Sequence, residues 1–155
     1  MAGAGVMPDA PKVILAFDFG TRRIGVASGD TLTRTARTLT TLQCSPDIPW
    51  AQVDRLVAEY RPQQFIVGLP YNMDGTPTLL TKASRRFAIE LKSRYAQSVA
   101  LIDERLSSRE ASEQLRDARS RGLKRRRTTR EDIDMVAARI LLERWFDDPA
   151  AAQEV

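Results

Sequence analysis

The sequence predicts an α/β fold built as a single domain. Short apolar runs rich in β-forming residues end at glycine or acidic residues, as buried strands do. Between the later runs, apolar residues recur every three or four positions, which is typical of amphipathic helices. The length of 155 residues suits one domain that buries a core without disulfides. A composition of 43% apolar and 28% charged residues is that of a soluble globular protein.

The first part of the chain predicts three strands. An apolar run at residues 13–17 predicts a buried strand that ends by presenting the carboxylate of Asp18. A glycine and a threonine then permit a tight turn, and the apolar residues 24–27 predict the second strand of a hairpin. The threonine-rich residues 37–42 predict a third strand that completes a meander.

The middle of the chain predicts alternating helices and strands. Apolar residues from Trp50 to Tyr60 have helical spacing, and Arg61-Pro62 ends that helix. Residues 65–67 predict a short buried strand, which leads into a loop at residues 68–76 with the composition Gly-Leu-Pro-Tyr-Asn-Met-Asp-Gly-Thr. A long helix and a fifth strand at residues 98–102 follow. Loops at the carboxyl ends of strands in α/β sheets commonly bind ligands.

The C-terminal part predicts two further helices. Ser107 with Glu110, and Thr128 with Glu131, are spaced as capping boxes that open these helices. The last helix is expected to end near residues 147–149. We therefore expect a disordered tail at residues 1–12, one domain at residues 13–148 and a frayed tail at residues 149–155. Because no signal peptide or membrane-spanning stretch is recognisable, we expect a cytoplasmic protein.

The composition excludes several kinds of chemistry. The chain has no histidine and a single cysteine, Cys44. Catalytic triads, histidine proton transfer and zinc sites built from histidine or cysteine are therefore excluded. Catalysis is left to carboxylates, hydroxyls, lysine, arginine or a hard cation bound by oxygen.

Positive charge is concentrated in residues 119–130, Arg-Ser-Arg-Gly-Leu-Lys-Arg-Arg-Arg-Thr-Thr-Arg. This segment holds seven of the 24 basic residues and no acidic one, so the other residues carry 17 basic and 20 acidic side chains, a net charge of −3. Such a segment indicates a polyanionic partner, although a solvated charged stretch is the alternative.

Acidic residues follow two predicted strands and begin the last helix. Asp18 ends the first strand, Asp103 and Glu104 end the fifth, and Asp134 lies near the start of the last helix. If these ends are close together, the acids form a site that attracts Mg²⁺ or Mn²⁺, which prefer oxygen ligands. Such a site beside basic residues suits two-metal cleavage of a phosphodiester. Taken singly, each acid is also explained by a turn, an ion pair or a helix dipole.

Several motifs together resemble the YqgF/RuvX family of Holliday junction resolvase-like proteins, which are also described as nucleases of pre-16S rRNA. They are Asp18-Phe-Gly-Thr-Arg-Arg-Ile-Gly-Val-Ala, the loop at residues 68–76, Asp103-Glu-Arg-Leu-Ser, and Asp134 ahead of Ala-Ala-Arg-Ile-Leu-Leu-Glu. The resemblance implies a ribonuclease H-like fold with a mixed five-stranded sheet, flanked by helices, whose first three strands are antiparallel. It also implies Mg²⁺- or Mn²⁺-dependent cleavage that matures the 5′ end of 16S rRNA.

The resemblance assigns Asp18, Glu104 and Asp134 as catalytic, metal-binding acids and makes Asp103 a further candidate ligand. The expected partners are rRNA precursor or other structured nucleic acid and ribosomal particles, bound by a monomer or homodimer. Three alternatives stay open: cleavage of branched DNA, binding of RNA or ribosomes without catalysis, and ATP binding by an actin-like lobe. Tyr71 is a candidate for stacking on a base. The candidate nucleic-acid-binding residues are Arg22, Arg23, Asn72, Arg105, Arg119, Arg121, Lys124, Arg125, Arg126, Arg127 and Arg130.

Overall fold

A mixed six-stranded sheet in the order β3-β2-β1-β4-β5-β6 organises the protein. The computed structural model describes residues 10–105, 113–118 and 129–155. The pairs β1–β2, β2–β3 and β5–β6 are antiparallel, whereas β1–β4 and β4–β5 are parallel. The strands are β1 (Val13–Phe19), β2 (Arg23–Asp30), β3 (Thr35–Gln43), β4 (Gln64–Leu69), β5 (Ser98–Asp103) and β6 (Gln153–Glu154).

Helices cover both faces of the sheet. Helices α1 (Trp50–Tyr60) and α2 (Leu79–Tyr95) pack on one face, where Phe17, Phe65 and Phe87 lie in the larger core cluster. Helix α3 (Arg130–Asp147) packs on the other face, against alanines and isoleucines of the central strands. Residues 113–118 are also helical. No helix in the described ranges is long and apolar enough to cross a membrane.

The predicted α/β class and the antiparallel first three strands are confirmed. The prediction of five strands and a frayed tail at residues 149–155 is wrong. A short 3₁₀ helix (Pro149–Ala151) leads into β6, which pairs with β5 through Leu101–Gln153 and Ala100–Glu154. The polar Gln153 and Glu154 carry no strand signal of their own, and the free edge of β5 supplies their pairing partner.

The cap of α3 also differs from the prediction by one residue. Thr129 rather than Thr128 is the N-cap, and its hydroxyl accepts a hydrogen bond from the backbone N–H of Asp132 at 3.2 Å. The Asp132 carboxylate in turn accepts one from the backbone N–H of Thr129 at 3.0 Å. Two consecutive threonines offer the same pattern in two registers, and aspartate replaces the expected glutamate. The predicted capping box at Ser107 and Glu110 lies outside the described residues.

The strand directions place three strand ends at one edge of the sheet. Because β1, β4 and β5 are parallel, their carboxyl ends at Phe19, Leu69 and Asp103 point the same way. The α3 helix packs with its first turns against the start of β2 at this edge, where Asp134 contacts Gly25. This edge, called the acidic edge below, therefore collects the acids that lie far apart in the sequence.

Candidate active site

Asp18 lies on the α3 face of the sheet, between two glycines on the neighbouring strands. Its partner in the β1–β2 register is Gly25. A Cβ atom on Gly25 would lie 2.0 Å from the backbone oxygen of Asp134. Only a residue without a side chain lets α3 approach so closely, and this approach brings Asp134 beside Asp18.

The second glycine, Gly68 on β4, makes room for Glu104. A Cβ atom on Gly68 would lie 2.3 Å from Oε2 of Glu104 and 2.8 Å from Cδ1 of Leu141. The backbone N–H of Glu104 donates to the carbonyl of Leu69 at 3.0 Å, which holds the residue just beyond the end of β5. Glu104 therefore crosses the end of β4 and reaches the carboxyl group of Asp18 on β1. Sequence reasoning passed over both glycines, although glycine inside an apolar strand is itself a signal of close approach.

The Asp18 and Glu104 carboxyl groups form a buried, hydrogen-bonded pair. Burial, and then the adjacent charge of Asp18, raise the pKa of Glu104 to about 10. Burial also raises the pKa of Asp18 above its usual value, against the hydrogen bond with Glu104 and with the help of the Asp134 charge. Burial disfavours the charged forms and two neighbouring carboxylates repel one another, so the metal-free pair retains a proton at neutral pH.

Asp134 approaches this pair from α3, but it is held by an arginine. Nε of Arg23 donates to Oδ2 of Asp134 at 2.7 Å, and both side chains are largely buried, with exposed fractions of 23% and 19%. The hydrogen bond with Asp134 raises the pKa of Arg23. Arg23, expected to bind nucleic acid, is thus engaged by an acid of the site.

Asp103, the fourth candidate ligand, belongs to the opposite face of the sheet. Side chains alternate along β5, where Ile102 packs with the α3 cluster and Leu101 with the other core. Asp103 accordingly points away from Asp18 and forms an ion pair with Arg105, at 2.6 Å between NH2 and Oδ2. Although burial opposes it, Arg105 holds the pKa of Asp103 below its usual value. We therefore remove Asp103 from the candidate metal ligands.

Arg105, a second nucleic-acid-binding candidate, connects Asp103 to the loop after β4. Its NH1 lies 3.5 Å from the carbonyl of Met73. The loop closes on itself, since Tyr71 forms an isolated bridge with Pro77. Asn72 donates through Nδ2 to Oγ1 of Thr76 at 2.9 Å, so its amide serves the turn.

The remaining nucleic-acid-binding candidates are only partly described. Arg22 is exposed in the turn between β1 and β2, and Arg130 is exposed at the first position of α3. Both therefore flank the acidic edge. The other candidates lie outside the described residues: Arg119, Arg121, Lys124, Arg125, Arg126 and Arg127.

The donor chemistry of this site fits a hard divalent cation. Oε2 of Glu104 is buried and has no hydrogen-bond partner within the described ranges, which is costly for a carboxyl oxygen. Asp18 and Asp134 add further oxygens, and oxygen ligands suit Mg²⁺ or Mn²⁺. In the described part of the chain, no three acidic or cysteine side chains are yet gathered closely enough to hold an ion. The Asp134 carboxylate is turned to Arg23 instead.

The close approach at Gly25 leads to a prediction. We expect Gly25→Ala to destabilise the protein by about 1–3 kcal/mol, the usual cost of overpacking, because the new methyl group collides with the backbone of α3. The separation of Asp134 from Asp18 should also lower any cleavage activity. Urea unfolding measures the first effect. Ser28→Ala, on the same strand, is the control, because it removes a buried hydroxyl that has no described partner. Wild-type stability of Gly25→Ala would refute the packing argument.

Comparison with known proteins identifies relatives along nearly the whole chain. The family model described as "RuvX: Holliday junction resolvase" matches residues 12–148. A "Putative pre-16S rRNA nuclease" of Yersinia pestis (strain Pestoides F) is 47% identical over 142 residues, which cover 91% of this chain and 99% of the relative. A protein of the same name from Yersinia pseudotuberculosis serotype IB (strain PB1/+) is 46% identical over 142 residues, with the same coverage.

Solved structures share the fold at low sequence identity. RuvC of T. thermophilus in complex with a Holliday junction substrate superimposes with a TM-score of 0.57 at 16% identity. The match covers 93% of this chain and 99% of that one. A second Thermus thermophilus RuvC structure gives a TM-score of 0.56. This likeness confirms the ribonuclease H-like fold that the sequence resemblance implies.

Proposed function

The chain belongs to the RuvX family, whose members are phosphodiester-hydrolysing nucleases, and we propose that it cleaves precursor 16S rRNA near its mature 5′ end. The match with the relatives that carry this name covers 99% of their own length. Such a substrate would place the protein in the cytoplasm.

The observation that carries the proposal is the buried carboxyl pair of Asp18 and Glu104. Burial and mutual repulsion keep the pair protonated without metal, and one oxygen of Glu104 has no hydrogen-bond partner among the residues that the structure describes. Burying two carboxyl groups destabilises a fold, so such a pair is rare as a purely structural feature, whereas nucleases use acid pairs to bind cations. Nuclease chemistry of this family depends on a divalent metal, which the all-oxygen donor set accommodates.

We assign the three acids to ion binding and Arg23 to the substrate. Asp18 and Glu104 would hold Mg²⁺ or Mn²⁺ in place of their shared proton, and Asp134 would join them after leaving Arg23. A divalent ion supplies Lewis-acid polarisation of the phosphate and promotes ionisation of water at neutral pH. The released guanidinium of Arg23 would then face the incoming phosphate, which arginine binds well.

Purified full-length protein with a labelled RNA fragment that spans the mature 5′ end of 16S rRNA tests the proposal. We expect one preferred cleavage near that end in Mg²⁺ or Mn²⁺ and none in EDTA. Asp134→Asn is the variant that separates catalysis from binding, because it should bind the fragment and cleave it at least about a hundredfold more slowly. Equal cleavage by Asp134→Asn and wild type would reject the assignment.

Branched DNA is the second candidate substrate. It is favoured by the printed description of the family as a Holliday junction resolvase and by the fold shared with RuvC. A four-way DNA junction incubated beside the RNA fragment discriminates the two. Symmetric cuts in the junction, with the RNA left intact, would replace the rRNA proposal. Binding of both substrates without cleavage in either metal would identify a non-catalytic binding factor.

A further inference from the structure

Helix α2 holds a second concentration of positive charge. Its 17 residues contain five basic side chains and a single acid, Glu90. Outside α2 and residues 119–130, the chain has 12 basic residues against 19 acidic ones. The basic surface of α2 therefore stands out against an acidic body.

Two of the five basic residues of α2 have structural roles. Arg94 forms a bidentate ion pair with Asp54 of α1, at 3.0 and 2.9 Å, and lies over the ring of Trp50. Lys92 donates from Nζ to the carbonyl of the terminal Val155. These contacts tie the end of α2 to α1 and to the C terminus, far from the acidic edge.

The other three, Lys82, Arg85 and Arg86, are exposed and form no ion pair in the described part of the chain. Their spacing of three and four residues puts them on one side of the helix. Ile89 lies on the same side and is 48% exposed. We call this surface, made of Lys82, Arg85, Arg86 and Ile89, the α2 face. No described acid neutralises it, so its charge is available to a partner.

The first turn of α2 is connected to Glu104 through the residues at and just after the end of β4. The hydroxyl of Thr81, in the first turn of α2, donates to the carbonyl of Pro70. The residue before that proline, Leu69, accepts the backbone hydrogen bond of Glu104. Two hydrogen bonds thus connect Glu104 to the turn that precedes Lys82, and the α2 face runs from there away from the acidic edge.

We propose that the α2 face binds the backbone of the nucleic-acid strand that leaves the active site. The inference rests on the proposed nuclease function and adds a binding surface on the side of the sheet opposite to α3. Lys82 and Arg86 are about 6 Å apart along the helix axis, roughly two nucleotide steps at about 3.4 Å each, so the three cations span about three phosphates of one strand. Exposed cations without protein partners bind phosphates without reading sequence, so the α2 face holds the strand in position.

Salt-dependent binding tests this surface without requiring cleavage. The full-length protein in EDTA binds the labelled pre-16S rRNA fragment, and log K is measured against log salt concentration. The triple variant K82Q/R85Q/R86Q is expected to lower the slope by about 2, since each phosphate contact on single-stranded nucleic acid contributes about 0.7. Its affinity at 0.1 M salt should fall by about tenfold or more.

Two matched variants make the result specific. K12Q/R37Q/R55Q removes the same net charge from three other exposed residues and should leave the slope within about 0.5 of wild type. K82R/R85K/R86K retains the charge of the α2 face and should keep the wild-type slope. Equal losses in the two neutralised triples, or an unchanged slope in K82Q/R85Q/R86Q, would overturn the inference. If the wild-type protein cleaves nothing but binds RNA with the expected dependence on the α2 face, the nuclease proposal is rejected and the proposal for the α2 face is retained.

Discussion

Asp18→Asn should abolish metal-dependent cleavage, with a loss of about a thousandfold or more. The substitution keeps the size of the side chain but removes the charge at the centre of the site, where Asp18 meets Glu104 and lies beside Asp134. Electrostatic groups that stabilise a transition state in a buried site contribute on this scale. Initial rates on the RNA fragment at saturating Mn²⁺ measure the loss.

The same variant is expected to fold and to bind RNA like the wild type. Its metal-free stability should equal or exceed that of the wild type, because the substitution removes a buried charge that raises the pKa of Glu104. Asp47→Asn is the control, since it deletes an exposed carboxylate in the turn before α1. If Asp18→Asn retained more than a tenth of the wild-type rate while Asp47→Asn behaved normally, Asp18 would not be a catalytic residue.

Glu104→Gln should make the metal-free protein more stable at high pH and abolish its stabilisation by metal. In the folded wild type, burial and Asp18 raise the pKa of Glu104 to about 10, whereas an unfolded glutamate has a pKa of about 4.3. Between these values the folded protein keeps a proton that the unfolded chain has lost. The free energy of unfolding therefore falls as pH rises, by up to about 1.4 kcal/mol per pH unit for this one group.

Urea unfolding of both proteins in EDTA, from pH 5 to pH 9, measures this effect. Glutamine does not titrate, so the stability advantage of Glu104→Gln should grow steadily with pH. Addition of Mg²⁺ or Mn²⁺ should raise the melting temperature of the wild type and leave that of the variant nearly unchanged. Glu90→Gln, an exposed substitution on α2, should show neither effect. A stability difference between Glu104→Gln and the wild type that stays constant or shrinks toward pH 9 would mean that Glu104 is ionised in the metal-free fold.

The strands and helices with strong hydrophobic patterns were predictable because their signals are local. The apolar run of β1 and the helical spacing of apolar residues in α1 and α3 each depend on residues that are near in sequence. The features that failed lack such signals. Strand β6 forms on the free edge of β5, and two consecutive threonines leave the N-cap of α3 open between Thr128 and Thr129.

The candidate site shows the same division. The positions of the acids at element ends pointed to Asp18, Asp103, Glu104 and Asp134, and the family resemblance favoured the set without Asp103. Asp103 could be set aside on physical grounds only once the direction of its side chain on β5 was known. Successive side chains of a strand point to opposite faces of the sheet. Because Asp103 and Glu104 are both acidic, the sequence does not show which of them lies on which face.

By itself, the sequence determined the α/β class, the all-oxygen chemistry of a chain without histidine, and the residues able to perform it. The tertiary structure alone decided which of those residues meet. Gly25 and Gly68 are small enough for α3 and Glu104 to close over Asp18, and Arg23 is near enough to pair with Asp134. These contacts join residues up to 111 positions apart. They arise from the packing of helix on sheet, for which no short stretch of sequence carries a signal.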